Sequence, residues 1–585
     1  MKHFSTLKKY FFQYKYPILI GIIFVILSNI FKVVAAPLIR NTISEINLFL
    51  TNHSNATLYD FYPILLKFLG FYAFFAILSA IFTFLMRQTI IVVSRKIEFD
   101  LKNELFQQYQ KLDLSFYKKN YTGDLMSRIT EDVSRVREFV GPTIMYSVNL
   151  VAMFAICIPI MFMIHWKLAL ISLLPLPILS ISIYLINNTI NKNSLILQQK
   201  LAKLNSIAQE VFSGIRIVKS FVKEKTFQEN FTIEAEAYKE QAIKIGRINA
   251  FYQPFFVGIV SLSILIIVYF GGEFVLKKEI NIEHLVEFIF YINFLTWPVS
   301  ALGWVATMTQ RAAASMERIN DFLNLKPAII PGHGIPHKIQ GNIVFDKVSL
   351  VYEDTGIRAL DNISFNIPQG EKWAIIGRTG SGKSTIAELI TAIYKPTEGK
   401  ILIDNTDYTE FEVGQYRSQI GYVPQDVFLF SDTIFNNISF GVEQASLEKV
   451  KEAAKQAGID EEIQKLPMGY DTVIGERGVT LSGGQKQRIS IARAILLRPS
   501  IIVLDDCLSA VDVTTENLIV EALNHLFKNR TSITITHRIF NQLNFDHILV
   551  LDEGRIIESG THEYLLGLNG MYTQLYHKQV KEAVA

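Results

Sequence analysis

The run Gly377, Arg378, Thr379, Gly380, Ser381, Gly382, Lys383, Ser384, Thr385 lies directly after an apolar strand, Trp373 to Ile376, and before a helical run starting at Ile386. Glycines at this spacing let successive amides curl around phosphate oxygens. Lys383 is long enough to reach the terminal phosphates, and the Ser384 hydroxyl sits at a positively polarised helix start, where it can ligate magnesium. A plain glycine turn is the bland alternative, and the strand-loop-helix setting argues against it. A second apolar strand, Ile501 to Asp506, ends in two carboxylates. Asp505 is placed to hold the magnesium ion and Asp506 to polarise an attacking water. Together the two runs predict ATP and Mg2+ as cofactors.

These residues need a scaffold, and from about Gly341 the chain supplies alternating strand and helix patterns, an α/β domain over 341–585. A Pro/Gly-rich stretch without periodicity, 326–340, reads as a linker. The preceding 325 residues are of another kind. Half of the 585 residues are apolar, 19% are charged, and the mean hydropathy is +0.26, as for a chain partly solvated by lipid. Six stretches are long and apolar enough to cross a bilayer: Pro17–Ile39, Pro63–Met86, Val140–Ile164, Leu168–Ile186, Phe251–Phe270 and Leu285–Met308. The predicted fold is therefore an all-α domain of six transmembrane helices over 1–325, followed by the α/β phosphate-loop domain.

Lys2, Lys8, Lys9 and Lys15 precede the first span, and the two long charged connections, 88–139 and 187–250, fall on the same side. That side is expected to be the cytosol, with both termini in it and the spans in the cell (inner) membrane. The N-terminal run carries no small-residue cleavage site and is expected to remain as the first helix. The net charge of +3 gives no global field for nucleic acid. The two cysteines, Cys157 and Cys507, fit neither a disulfide framework nor a metal site and are expected to be buried thiols.

Between the phosphate loop and the acidic strand lies Thr480 to Arg488, TLSGGQKQR. With it the chain resembles the ATP-binding cassette (ABC) superfamily, whose signature is LSGGQ. The resemblance implies that Ser482, Gly483, Gly484 and Gln485 bind the nucleotide held by an opposite cassette. It makes Tyr352 the aromatic that stacks on adenine, Gln425 a magnesium contact, His537 the switch histidine and Ser509–Asp512 a dimer-contact loop. Gly475–Gly478 then becomes the loop that senses the membrane domain. Lys383, Gln425, Asp506 and His537 form the implied catalytic set, and Ser384, Gln425 and Asp505 the metal set.

The connections FYKKNYTGDLMSRITEDVSRVREFVG and VFSGIRIVKSF extend the likeness to exporters of the lipid-flippase and multidrug type. Breaks at Asn120–Gly123 and Gly214 mark short cytosolic helices, expected to dock on ATPase domains near Gly123–Ile129 and Phe221–Phe227. The implied activity is ATP-driven export of a hydrophobic or amphipathic compound by a dimer of half-transporters in contact with membrane lipids. An ATP-gated channel or regulatory subunit on the same fold is the alternative.

One position departs from the family pattern. Active members usually carry Glu after the magnesium aspartate, where this chain has Asp506. In the family such an Asp often marks the weaker of two unequal sites, so a second, different half-transporter subunit is favoured as partner; a slower homodimer stays open. Lys32, Lys67 and Glu287 fall within or near spans and are expected to snorkel to the interface. Met145, Met153, Met161, Met163, Phe154 and Phe162 are expected to face lipid or neighbouring helices rather than a cavity.

Overall fold

The computed structural model describes residues 2–52, 62–327, 338–475, 481–507, 513–528, 530–539 and 543–584. The chain divides into two compact units, 1–107 with 123–325, and 108–122 with 326–585.

The first unit is helical. Its main elements are α1 (Lys15–Val33), α2 (Ala35–Asn52) and α3 (Tyr62–Lys111). Then, beyond residue 122, come α5 (Ile144–Leu173), α6 (Pro175–Ser213), α7 (Glu224–Leu276) and α8 (Ile282–Leu323). Among the described residues five helical runs are apolar enough to cross a membrane, the third spanning Thr122–Ser213. That run is interrupted: His165 adopts extended backbone, φ −160° and ψ 105°, which no α-helix accommodates. The imidazole of His165 lies 3.1 Å from Glu279 and its ring 4.4 Å from that of Phe274, which pins the bend to the turn after α7.

Antiparallel α1 and α3 meet along a seam of small and hydroxylated residues. Ser28 shares hydrogen bonds with Ser79 and Thr83, and a methyl group on Gly21 would stand 2.5 Å from Ile90. Phe31 stacks on Phe75 and Phe82 just above this seam. The principal core of the unit gathers Met153, Cys157, Met161, Leu179, Ile183, Phe288, Tyr291 and Leu295. Met145 is buried in a second cluster, whereas Met163 is 84% exposed. The methionines therefore divide between helix packing and the outer surface.

Glu287 does not snorkel. It is fully buried, receiving hydrogen bonds from the Tyr291 hydroxyl at 2.6 Å and the Arg40 guanidinium at 3.2 Å, and an acid so paired has no need to reach the interface. Lys67 is exposed and paired with Glu45 at 2.8 Å. Lower in the unit a buried carboxylate, Asp132, accepts from Ser315 at 2.8 Å and from Arg318, fastening the helix before α5 to α8.

In the second unit one sheet is antiparallel, with order β2-β1-β4-β5: β1 (Ile343–Val351), β2 (Arg358–Ile367), β4 (Glu398–Ile403) and β5 (Thr406–Asp407). The other runs β10-β9-β3-β8-β7-β6. Its strands are β3 (Lys372–Gly377), β6 (Ile420–Val423), β7 (Ile501–Asp505), β8 (Thr531–Thr536), β9 (His547–Asp552) and β10 (Arg555–Gly560). Strands β6, β7, β8, β3 and β9 are mutually parallel, and β10 closes the edge antiparallel. Buried on both faces, β7 is apolar up to its terminal Asp505 and β8 is apolar or hydroxyl-bearing throughout, as a covered parallel sheet demands.

The segment 108–122, drawn from the first half of the sequence, belongs to this second unit. It contains a short helix, α4 (Leu114–Lys119), whose N-terminus is capped by the Asp113 carboxylate accepting from the Phe116 amide. Lys118 stands 5.0 Å from the ring centres of both Tyr352 and Tyr394 and 3.9 Å from the Glu388 carboxylate, and Lys119 pairs with Glu353 at 2.9 Å. The expected docking segment Gly123–Ile129 lies in the helical unit, and the residues just before it, 108–122, belong to the ATPase fold. The second expected docking segment, 221–227, also lies in the helical unit, with Phe221 and Val222 exposed.

Candidate nucleotide site

Four neighbouring parallel strands end on one edge of the sheet, in the order β3, β8, β7, β6. The residues just past those ends are the phosphate loop, His537, Asp505 with Asp506, and Gln425 respectively. Ligands in open α/β sheets bind outside such carboxyl ends. A cavity of about 500 Å3 opens there, lined by Tyr352, Thr379, Gly380, Gly382, Lys383, Ser384, Thr385, Gln425, Asp505, Asp506 and His537, with Arg358, Ala359, Glu553 and Gly554 at its margin.

The loop has the backbone that its glycines were expected to permit. Gly380 and Gly382 have φ of 83° and 95°, and a methyl group on Gly382 would lie 2.4 Å from the Ala359 carbonyl. Helix α9 (Lys383–Ile390) starts at this point. Lys383 donates to the carbonyls of Gly377 and Arg378 at 2.9 and 2.7 Å, closing the loop on itself. Burial holds its ammonium below the usual lysine range, against the pull of Asp506 and Asp505.

The Ser381 hydroxyl is buried and has no hydrogen-bond partner among the described residues. Such an orphan in a loop of this shape is the group that a phosphate oxygen satisfies. Gly377 and Arg378 fix the loop's first turn without lining the cavity.

On the facing side Ser384 donates to Asp505 at 3.0 Å. The Asp505 carboxyl is pushed up to about 6, chiefly by burial, with Asp506 and Glu388 adding to the shift and the Ser384 hydrogen bond opposing it. Asp506 has φ 47°, in the left-handed region. Its carboxylate accepts from His537 Nδ1 at 3.0 Å and from Gln425 Nε2 at 3.4 Å. One hydroxyl, one amide oxygen and one buried carboxylate suit a magnesium ion that arrives with nucleotide phosphates. Among the described residues no cluster of three His, Cys, Asp or Glu makes a self-sufficient metal site.

Tyr352 is held at the edge of this cavity from below. Its hydroxyl donates to Glu388 at 2.8 Å and lies 3.0 Å from the Thr385 hydroxyl, and its ring meets Tyr394 edge-on at 5.2 Å. Glu388 and Tyr394 were not singled out in the sequence. Glu388 stands three residues after Thr385 on α9, so both side chains face the Tyr352 hydroxyl. Gly554, with φ 77° and its amide bonded to the Ser381 carbonyl at 3.2 Å, was likewise missed; the Asp-Glu-Gly run around it reads as an ordinary hairpin turn.

The signature residues are elsewhere. Ser482 caps helix α10 (Gly483–Leu496), its hydroxyl accepting from the Gln485 amide while the Gln485 side chain accepts from the Ser482 amide. Gln485 also donates to Glu462 at 2.8 Å. Ser482 and Gly483 are exposed, Gly484 and Gln485 half-buried, and none of the four lines the cavity that gathers the other nucleotide residues. Glu476–Gly478 of the sensing loop and Ser509–Asp512 of the dimer-contact loop lie outside the described residues. Cys157 and Cys507 are both buried thiols, the latter pushed up to about 12 by its burial.

Residues 18–299 match the family described as ABC transporter transmembrane region, and residues 360–509 match the ABC transporter family. Over 100% of its length the chain is 37% identical to an uncharacterized ABC transporter ATP-binding protein, YknU, of Bacillus subtilis, covering 98% of that protein. A probable multidrug resistance ABC transporter ATP-binding/permease protein of the same organism, YheI, is 36% identical over 82% of each chain. An ATP-dependent lipid A-core flippase of Syntrophus aciditrophicus is 36% identical over 84% of this chain and 82% of its own.

Proposed function

Because the chain belongs to the ABC transporter family, with membrane and ATP-binding regions fused in one polypeptide, we propose that it exports a lipid-like or drug-like amphipathic compound as one half of a dimer. The chain is a multi-pass membrane protein that binds ATP and couples its hydrolysis to transport. The observation that carries the dimer is the separation of the signature from the cavity. Ser482, Gly483, Gly484 and Gln485 stand away from the loop, Asp505, Asp506 and His537 of their own chain. Their exposed helix start supports a role on ATP held by a second cassette.

Ser384, Asp505 and Gln425 would hold Mg2+, which when bound neutralises charge on the β- and γ-phosphates. Lys383 orients the terminal phosphate, and Asp506, held by His537 and Gln425, accepts a hydrogen bond from the attacking water. With the signature closing over the other face, ATP binding favours the joined pair and hydrolysis releases it. The spans lie in the inner membrane with both termini in the cytosol, so movement is outward. Asp506 supports a heterodimer with one weak site, the second half-transporter being a different chain.

The test is ATP-driven flux in sealed vesicles carrying the purified chain, alone and with candidate partner half-transporters. Accumulation of an amphipathic dye that requires ATP and stops on Lys383→Ala supports export. Passive ion conductance opened by ATP, with no solute accumulated, overturns it in favour of a channel.

A further inference from the structure

The helical unit contains a second cavity, of about 660 Å3, walled by α1, α3 and α8 and the start of α2. Six of its fourteen lining residues are aromatic, among them Phe31, Phe75, Phe84, Phe290 and Phe294. Into this apolar space project two cations, Lys32 from α1 and Arg87 from α3. Among the described residues neither has a carboxylate or hydrogen-bond partner; Lys32 meets only the face of the Phe294 ring, 5.6 Å away. Nearby cations of the same unit are treated differently, Arg40 being paired with Glu287 and Lys67 with Glu45. Lys32 lies within the first span, where uncompensated charge is costly and marks a site whose counter-charge is supplied by something else, and Arg87 directly follows the second span, Pro63–Met86.

The register of the helices separates the two. Ser28 lies level with Ser79 and Thr83, Lys32 is one turn beyond Ser28 along α1, and Arg87 is one turn beyond Thr83 in the opposite direction. That places the cations at the two ends of the cavity, about 15 Å apart along the axes at 1.5 Å per residue. We propose that this cavity binds an amphipathic anion, its hydrocarbon or aromatic body lying against the phenylalanines and its carboxylate or phosphate group held by Arg87 at one end or Lys32 at the other. The spacing exceeds one head group, so the two cations are successive stations for the same group. The proposal names the substrate class of the exporter and rests on that reading.

The probe is 11-(dansylamino)undecanoic acid, with its neutral methyl ester as comparison, titrated by fluorescence into the full chain in nanodiscs of phosphatidylcholine. The acid is expected to bind at least tenfold more tightly than the ester, and the Lys32→Gln/Arg87→Gln double variant to lose that preference while still binding the ester. Lys167→Gln, which removes a cation outside the cavity, should leave it intact. Equal binding of acid and ester by the unaltered chain, or an undiminished preference in the double variant, overturns the site. Should the double variant fail to fold, the charge-conserving Lys32→Arg/Arg87→Lys chain decides: retained preference supports the proposal and its loss overturns it.

Competition by phosphatidylglycerol in the disc identifies a membrane lipid as the natural occupant and competition by dissolved dodecanoate a soluble one; competition by neither overturns the site. Transport separates this proposal from the reading beneath it. ATP-driven flux of a neutral dye without anion preference would leave export standing and remove the anion site, whereas anion-selective binding without ATP-driven flux would do the reverse.

Discussion

At the residue level the most consequential position is Asp506. Its shorter side chain is already engaged, accepting from His537 at 3.0 Å and Gln425 at 3.4 Å, and its backbone sits at φ 47°, where an aspartate is tolerated better than most residues. A glutamate there carries the carboxylate about 1 Å further into the cavity, and an ångström of placement is worth up to about a hundredfold in rate. Asp506→Glu is therefore expected to raise ATP turnover at saturating ATP by tenfold or more, measured as phosphate release from the purified chain; an unchanged rate would remove water positioning as the limit. Lys383→Ala loses both bonds that close the phosphate loop together with the phosphate contact, and the Kd for a fluorescent ATP analogue is expected to rise at least tenfold. The motif residues were readable in advance because their spacing is dictated by phosphate geometry. Glu388 and Tyr394 were not, since what matters about them is a contact with Tyr352 that only the folded chain creates. Glu287 was misread for the same reason: its partners, Arg40 and Tyr291, cannot be inferred from its place in an apolar run.

Among the elements, helix periodicity announced the long spans and their extensions, while the expected docking segment, starting at Gly123, fell nine residues beyond the start of the short helix α4. Its start signal was present all the same: Asp113 stands three residues before Phe116, whose amide it caps, and the chain breaks again after Lys119. Lys118 is the residue that ties α4 to Tyr352, Tyr394 and Glu388. Lys118→Ala is expected to lower ATP-driven transport at least threefold more than it lowers ATP hydrolysis, compared side by side in the same vesicles. A parallel fall in both would make the lysine part of the nucleotide site instead. In the helical unit Asp132 gathers Ser315 and Arg318 while almost wholly buried. Asp132→Ala leaves a buried hydroxyl unsatisfied and should cost about 1–3 kcal/mol, visible as a lower denaturant midpoint in detergent; Asp132→Asn, which keeps an acceptor, should cost less.

For the whole molecule, alternation of strands and helices foretold the α/β class, but the sheet order β3-β8-β7-β6 that gathers residues from 377 to 537 on one edge is a tertiary outcome. The same holds for the aromatic cavity with its two cations, whose walls come from helices far apart in sequence. On the proposed dimer, the signature helix, which stands apart from its own chain's cavity, acts on the ATP of a second cassette. Expressed alone, the chain is expected to show slow hydrolysis and the mass of a single copy in native mass spectrometry, and to reach two-chain mass with a partner carrying Glu after its magnesium aspartate. A stable two-copy species from the chain alone would favour the homodimer.

The second unit is also discontinuous, since it borrows 108–122 from the first half of the sequence. On the ribosome that has a cost in time. Helix α4 emerges roughly 230 residues before the first strand that completes its docking surface, and at ~5–20 residues per second Lys118 and Lys119 wait on the order of 10–50 s for Tyr352, Tyr394 and Glu353. Assembly of the ATPase fold is thus bound to follow insertion of the first two spans.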